Sequence, residues 1–198
     1  MAPAIPEEVA FAAFTLLWSA NKKPEAVAIL ICFCGLLRIG EALALTTADV
    51  VFQGKPGRAC VLLLHKTKTA AAEVERVALM HPVVVAILQA YAATAGEGQF
   101  LPTTYRRVAS CLGAATGSFG FDIHFFRTHS LRRGGATTLM MRGFPMLDIM
   151  HFGRWASEKS CRLYLKTGSI IILRAREGKY KWARIRALAY LASSVAGD

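Results

Sequence analysis

The sequence HSLRRGGATTL, residues 129–139, begins the stretch from which the fold and chemistry of this chain follow. The stretch closes with GRWASEKSCRLY at residues 153–164. His129 and Arg132 are three positions apart, so a helix that begins near Thr128 places both side chains on one face. An imidazole beside a planar, five-donor cation suits a phosphate group. The spacing therefore predicts an anion site on this helix.

Positive charge is concentrated around this stretch. Between His124 and Arg186 there are 14 lysines and arginines against three carboxylates, so this part of the chain carries the whole net charge of +11. Basic surfaces release counterions from nucleic acid when they bind it, which makes a polyanion the expected partner. A basic surface that is only solvated is the alternative.

Composition narrows the class of protein. A chain of 198 residues, 54% of them apolar, is long enough for one globular domain with its own core. The longest uncharged apolar run, residues 26–37, is only 12 residues long, against the roughly 20 of a membrane-spanning helix. The start of the chain, MAPAIPEEVAF, is acidic where a secretion signal is basic. We therefore expect an intracellular protein that does not cross a membrane.

The cysteines support the same compartment. The chain has five cysteines, an odd number, and none of them form a CxxC pair. We interpret them as reduced core thiols. Their positions are Cys32, Cys34, Cys60, Cys111 and Cys161.

The first part of the chain is predicted to be helical. A helix begins at Pro6 and continues to about Ala20, and a second begins at Pro24 and runs through an apolar segment to Arg38. An arginine at the end of a buried helix needs partners. Glu41, three residues on, can orient the guanidinium and leave some of its donors free. The alternative is a helix ion pair with no further role.

The pattern is extended over residues 50–80. The segments VVF, ACVLLLH and EVERVALM predict three short antiparallel strands. The turn between the last two, HKTKTAAA at residues 65–72, places Lys66 and Lys68 on a mobile hairpin. A lysine in such a turn can equally be solvated without any role.

Helices are predicted again for the rest of the chain, which gives a mainly helical α+β domain. Arg106 and Arg107, near the start of one of them, either contact a nucleic-acid backbone or form a solvated face. The predicted helices are Pro82 to Ala93, Thr103 to about Ala115, Thr128 to Gly143, Pro145 to Phe152, Ser160 to Lys166, Ser169 to Glu177 and Lys181 to Ser193.

Six positions of the chain, taken in order, resemble the catalytic domain of the tyrosine recombinases, the phage integrase family. They are Arg38 in GLLRIGEAL, a lysine in HKTKT, His129, Arg132, Trp155 (23 residues after Arg132) and Tyr164 (nine after Trp155). The resemblance implies a mainly helical α+β fold with a small three-stranded antiparallel sheet. The short motifs RRGGAT and GRW resemble recombinases of eukaryotic mobile elements, such as the DIRS-like and Crypton groups, more closely than they resemble bacterial chromosome-dimer resolvases.

The resemblance also implies a role for each of these residues. Tyr164 is the expected nucleophile, which forms a 3′-phosphotyrosine and frees a 5′-hydroxyl without metal or ATP. His129 assists proton removal, while Arg38 and Arg132, with Glu41 in support, hold the non-bridging phosphate oxygens. Chemistry of this kind uses no cofactor.

Two further positions complete the resemblance. Lys68, preferred to Lys66, is the expected donor of the proton to the leaving 5′-oxygen. Trp155 stands where histidine is commonest in the family, and its indole N–H still donates one hydrogen bond to a phosphate. His151, four residues before Trp155, is interpreted as a histidine at a helix end.

Double-stranded DNA is the partner that the resemblance implies, bound by a homo-tetramer on paired sites. Family members carry an N-terminal helical domain that completes a clamp around DNA, and we expect residues 1–198 to be a single catalytic domain without it. The helix Lys181 to Ser193 either docks on a neighbouring subunit or packs on its own domain. If the source is eukaryotic, the expected compartment is the nucleus.

The main function expected is therefore site-specific DNA recombination. Type IB topoisomerase activity, with the same fold and chemistry, is one alternative. A decayed relative that binds DNA without cutting it is another. A metal-dependent nuclease is disfavoured, because the basic part of the chain has only three scattered carboxylates.

Overall fold

The computed structural model describes residues 2–53, 59–65 and 74–196, which form ten α-helices and a three-stranded sheet. Two 3-10 helices, Thr47–Asp49 and Ser194–Ala196, complete the described elements. The helices are α1 Glu7–Ser19, α2 Lys23–Cys34, α3 Ile39–Leu43, α4 Pro82–Ala92, α5 Tyr105–Gly117, α6 Thr128–Met141, α7 Met146–Gly153, α8 Glu158–Arg162, α9 Thr167–Arg176 and α10 Lys179–Leu191.

The predicted sheet is confirmed. Its strands are β1 Val50–Phe52, β2 Cys60–Leu64 and β3 Glu75–Leu79, antiparallel in the order β1-β2-β3. Alternate residues of β2 are buried, so one face of the sheet packs on the helices, as period-two alternation requires. Of the two connecting turns predicted from the sequence, residues 53–58 and 65–72, all but Gln53 and His65 lie outside the described residues.

The main core lies between α1, α2, α4, α5 and the sheet, and α10 closes it from the C-terminal side. Trp182 and Ile185 of α10 are buried in this core. The hydroxyl of Thr15 in α1 donates a hydrogen bond to the carbonyl of Leu188 at 2.9 Å. In the single chain, α10 therefore packs on its own domain. Within the described residues, no helix is long and apolar enough to cross a membrane.

Two adjacent glycines let α6 approach its neighbours closely. A Cβ on Gly134 would overlap the carbonyl oxygen of Ile5, and one on Gly135 would overlap that of Phe33 in α2. In RRGGAT, two arginines are thus followed directly by two positions at which no side chain larger than a hydrogen atom fits. The close packing fixes the depth at which α6 lies in the domain.

Gly135→Ala should destabilise the fold by about 2–3 kcal/mol, because α6 must move away from the α2 backbone to make room for a methyl group. Gly168→Ala is the matched control, since Gly168 also lies in a helix and its Cβ would meet nothing within 4 Å. That change should be neutral or stabilise by up to about 1 kcal/mol. Urea denaturation of both variants measures the difference, and equal midpoints would contradict the packing argument.

Two sequence predictions about local structure are wrong. The second helix does not continue to Arg38: α2 ends at Cys34, Leu36 has a left-handed backbone (φ 49), and Arg38 is the N-cap of the separate helix α3. Tyr164 is not helical either, because α8 ends at Arg162 and the tyrosine lies in the turn before α9. Both residues therefore sit where the chain changes direction.

Candidate active site

Glu41 is the buried carboxylate on which the arginines of the site converge. As the third residue of α3, it accepts a hydrogen bond from the backbone N–H of Arg38 at 2.7 Å, which caps the helix. Its other oxygen, Oε1, accepts one from Arg38 Nη1 at 2.6 Å. The i, i+3 spacing therefore lets Glu41 cap the start of α3 and also fix the guanidinium of Arg38.

Among the described residues, Arg132 has the largest fully buried side chain, and only 1% of its surface is exposed. Its Nη2 donates to the carbonyl of Gly153, and its Nη1 lies 3.6 Å from Glu41 Oε2. Nε and Nη1 have no hydrogen-bond partner among the described residues. Burial, together with the charge of Arg38, lowers the pKa of Arg132 to about 10. The guanidinium is still charged at neutral pH, and an incoming anion would stabilise it.

Trp155 and Tyr164 cover this guanidinium. Its central carbon lies 4.7 Å from the centre of the Trp155 ring and 5.6 Å from that of Tyr164. The two rings are 4.9 Å apart and belong to a small apolar cluster with Leu36 and Ile149. The indole Nε1 of Trp155 is buried and has no hydrogen-bond partner within the described part of the chain. Arg132 and Trp155 thus offer unused donors close to a tyrosine ring.

His129 lies on the same helix as Arg132, one turn nearer its start, and its side chain is exposed. Desolvation of the side of the ring that faces the protein, together with the positive charges of Arg133, Arg132 and Arg38, lowers the pKa of His129 below 6.5. The imidazole is therefore neutral at pH 7 and able to accept a proton.

We expect NMR titration of the free protein to give His129 a midpoint below 6.5, the ordinary histidine value. Inorganic phosphate should raise the midpoint, because a bound anion offsets the neighbouring arginines. The folded protein binds this proton more weakly than the unfolded chain, so the associated stability is present above the ordinary value and is lost as pH falls through the lowered pKa. Arg133→Gln should bring the midpoint closer to 6.5. A midpoint at or above 6.5 in the unliganded protein would contradict the assignment.

A cavity of about 350 Å³ opens beside Trp155. Basic side chains, among them Arg76 and Arg154, line it together with the apolar Leu147 and Met150 and the carboxylate Glu75. His151 also lines it and remains an exposed residue near the end of α7, as expected.

Other predicted site residues lie elsewhere. Lys68 and its alternative, Lys66, lie outside the described residues. Arg107 Nε pairs at 3.0 Å with the buried Glu25, so Arg107 stabilises the start of α5 against α2. Arg38, Arg132, Trp155 and Tyr164 are the predicted residues that the structure brings into one cluster.

Two arginines of the cluster were not predicted from the sequence as site residues. Arg154 Nη2 donates to Glu41 Oε2 at 2.6 Å, and Arg133 lies over the Tyr164 ring at 5.6 Å. Arg133 also donates to the carbonyl of Ala2. Each directly adjoins a predicted residue, Trp155 or Arg132, and this adjacency was the available signal.

The described cysteines do not compete with Tyr164 as nucleophiles. All five are free thiols, and burial raises the pKa of Cys60 to about 12 and, with a contribution from Glu7, that of Cys34 to about 12. Thiols held protonated in this way are unreactive. Among the described residues, no three His, Cys, Asp or Glu side chains are grouped so that they could hold a metal ion.

Solved structures share this architecture. The crystal structure of XerA recombinase superposes with a TM-score of 0.65 and 18% identity, covering 90% of this chain and 65% of that one. The XerH site-specific recombinase in a pre-cleavage complex with its difH substrate gives a TM-score of 0.65 and 19% identity, covering 83% of this chain and 50% of that one. The fold is therefore that of a tyrosine recombinase catalytic domain, as the sequence predicted.

A curated protein is also similar in sequence over part of this chain. The integrase/recombinase xerD homolog of Selenomonas ruminantium is 38% identical over 65 residues, which are 33% of this chain and 19% of that protein. No protein-family model matches the chain. This chain covers about a fifth of the curated relative and half to two thirds of the solved chains. The closer likeness to mobile-element recombinases stays a prediction.

Proposed function

We propose that this chain is the catalytic domain of a site-specific DNA recombinase that cuts and rejoins DNA through Tyr164. The observation that carries the proposal is the buried Arg132, which has unused donors, lies beside Trp155 and is covered by the tyrosine ring. An anion that reaches these donors would lie next to the phenol. The tyrosine recombinase fold supports the same reading.

The proposed reaction exchanges one phosphoester for another. The phenol oxygen of Tyr164 attacks phosphorus, the bond from phosphorus to the 5′-oxygen breaks, and a 3′-phosphotyrosine forms. His129, neutral at pH 7, takes the phenol proton. Arg38, Arg132 and the Trp155 indole N–H stabilise the charge that gathers on the non-bridging oxygens. Attack by a 5′-hydroxyl reverses the steps and rejoins the strand.

The leaving 5′-oxygen needs a proton. Lys68 stays the predicted donor, since its residue type and its place between β2 and β3 in the sequence suit that task. Lys66 remains the alternative.

Double-stranded DNA is the proposed substrate, and a homo-tetramer on paired sites the proposed assembly. XerH, whose solved complexes contain difH DNA, supports the choice of substrate. The excess positive charge of the second half of the chain suits the same partner. Docking of α10 on a neighbouring subunit stays a prediction beside its contact with α1. An intracellular location, the nucleus in a eukaryote, follows from this substrate.

The test is covalent trapping on nicked duplexes of randomised sequence. Cleavage near the nick releases a short fragment that carries the 5′-hydroxyl, so the strand cannot be rejoined. An active protein should therefore accumulate a protein–DNA adduct that resists denaturation. Peptide mapping should place the DNA on Tyr164. Salt-sensitive binding without an adduct would instead indicate a decayed DNA-binding relative. Relaxation of supercoiled plasmid by the monomer would indicate topoisomerase activity.

A further inference from the structure

Arg154 occupies an unusual position for an arginine. It follows α7 in the left-handed backbone region (φ 55), which favours glycine over residues with a side chain. Yet its side chain is only 9% exposed, and it contacts carboxylates from two other elements. Its Nη2 lies 2.6 Å from Glu41 Oε2 in α3, and its Nε lies 2.9 Å from Glu75 Oε2 in β3.

The contact with Glu41 limits what Arg132 can do. Glu41 Oε1 accepts from Arg38, and Oε2 accepts from the Arg38 backbone and from Arg154. Arg132 Nη1 is left 3.6 Å away from Oε2, beyond a normal hydrogen bond. Its attraction to Glu41 is therefore only partly satisfied, and its Nε and Nη1 donors stay unused within the described residues.

We propose that Arg154 is a positioning residue that saturates Glu41 and so keeps Arg132 available for a DNA phosphate. Without Arg154, Arg132 Nη1, which lies 3.6 Å from Oε2, could move onto the vacated lone pair. A charge-assisted hydrogen bond to Glu41 would then compete with the phosphate. The contact with Glu75 fixes Arg154 from its other side. This inference rests on the proposed function, since it assigns Arg132 to the scissile phosphate.

Arg154→Gly is the informative change, because glycine suits the left-handed backbone and removes only the side chain. We expect the rate of adduct formation to fall by on the order of 10²-fold, the effect of a misplacement of about 1 Å in an active site. Arg154→Lys should recover part of the rate, since an ammonium can still pair with Glu41. Asn21→Gly is the matched control, at a remote position with the same backbone conformation (φ 56). It should leave the rate unchanged.

A double-mutant cycle separates positioning from a general structural role. If Arg154 acts through Glu41, removing it in a Glu41→Gln background should lower the rate only a few-fold further, because the competing carboxylate is gone. The proposal would be overturned if the double variant lost the full product of the two single losses in rate. It would also be overturned if the loss in rate followed a fall in melting temperature. An Arg154→Gly variant that cleaves at the wild-type rate would overturn it as well.

A second readout does not depend on cleavage. Inorganic phosphate should shift the Arg132 side-chain N–H resonances of the wild-type protein in NMR spectra, and Arg154→Gly should weaken that binding about tenfold or more. If the wild type forms no adduct on any duplex, the proposed function fails while this measurement still decides the role of Arg154. Equal phosphate binding by the two proteins would overturn it.

Discussion

Tyr164→Phe should abolish the covalent adduct with nicked DNA entirely. The change removes a single oxygen, the atom that would attack phosphorus. The ring remains, so its packing against Trp155 at 4.9 Å and its contact with the Arg132 guanidinium should survive. We therefore expect an unchanged melting temperature and DNA affinity within a few-fold of wild type. Adducts are counted on denaturing gels with end-labelled duplex.

Tyr180→Phe is the matched control for this change. Tyr180 is 94% exposed, so losing its hydroxyl should alter neither fold nor cleavage. An adduct that survives Tyr164→Phe at the wild-type yield would refute Tyr164 as the nucleophile. The proposed reaction would then need a different attacking group.

Arg132→Lys should lower the rate of adduct formation by about 10²–10³-fold, the usual loss when one preorganised donor to a developing oxyanion is removed. Lysine keeps the charge, but it has a compact ammonium instead of a planar fork and cannot hold the Gly153 carbonyl and a phosphate together. DNA affinity should change much less, since many phosphates contribute to binding and only one is cut. Single-turnover kinetics at saturating DNA separate the two effects.

Arg142→Lys controls for the loss of a guanidinium on the same stretch of chain. Arg142 directly follows α6 and pairs at 2.9 Å with Glu7 on the surface, where its side chain is 49% exposed. This variant should cleave at the wild-type rate. If Arg132→Lys also stayed within a few-fold of wild type, Arg132 would not contact the scissile phosphate.

Much of the fold could be predicted because its local patterns are strong. A short apolar segment after a glycine turn identified β2, and proline followed by acidic residues identified the start of α1, because backbone preferences act over a few residues. The same logic failed at Arg38. The apolar run there continues past Gly35 without a polar interruption, so the hydropathy pattern gave no sign that the helix ends at Cys34.

The site was only partly predictable for a related reason. His129 and Arg132 share one helix, so their spacing alone brought them together. The structure placed Arg38 and Tyr164 in the same cluster as Arg132 through contacts between distant elements. Arg154 was missed, because its neighbours in sequence give no sign of the two carboxylates that it contacts.

By itself, the sequence determined which chemical groups the protein has and the order in which they occur: Arg38 in the first part of the chain, then a histidine, an arginine and a tyrosine in a strongly basic half. The tertiary structure decided which donor meets which acceptor. Glu41 and Arg154 are 113 positions apart in the chain and 2.6 Å apart in space. Charge pairing at that separation depends on the packing of whole helices against each other, which no local pattern records. That packing leaves Arg132 buried, charged and with donors still to be used.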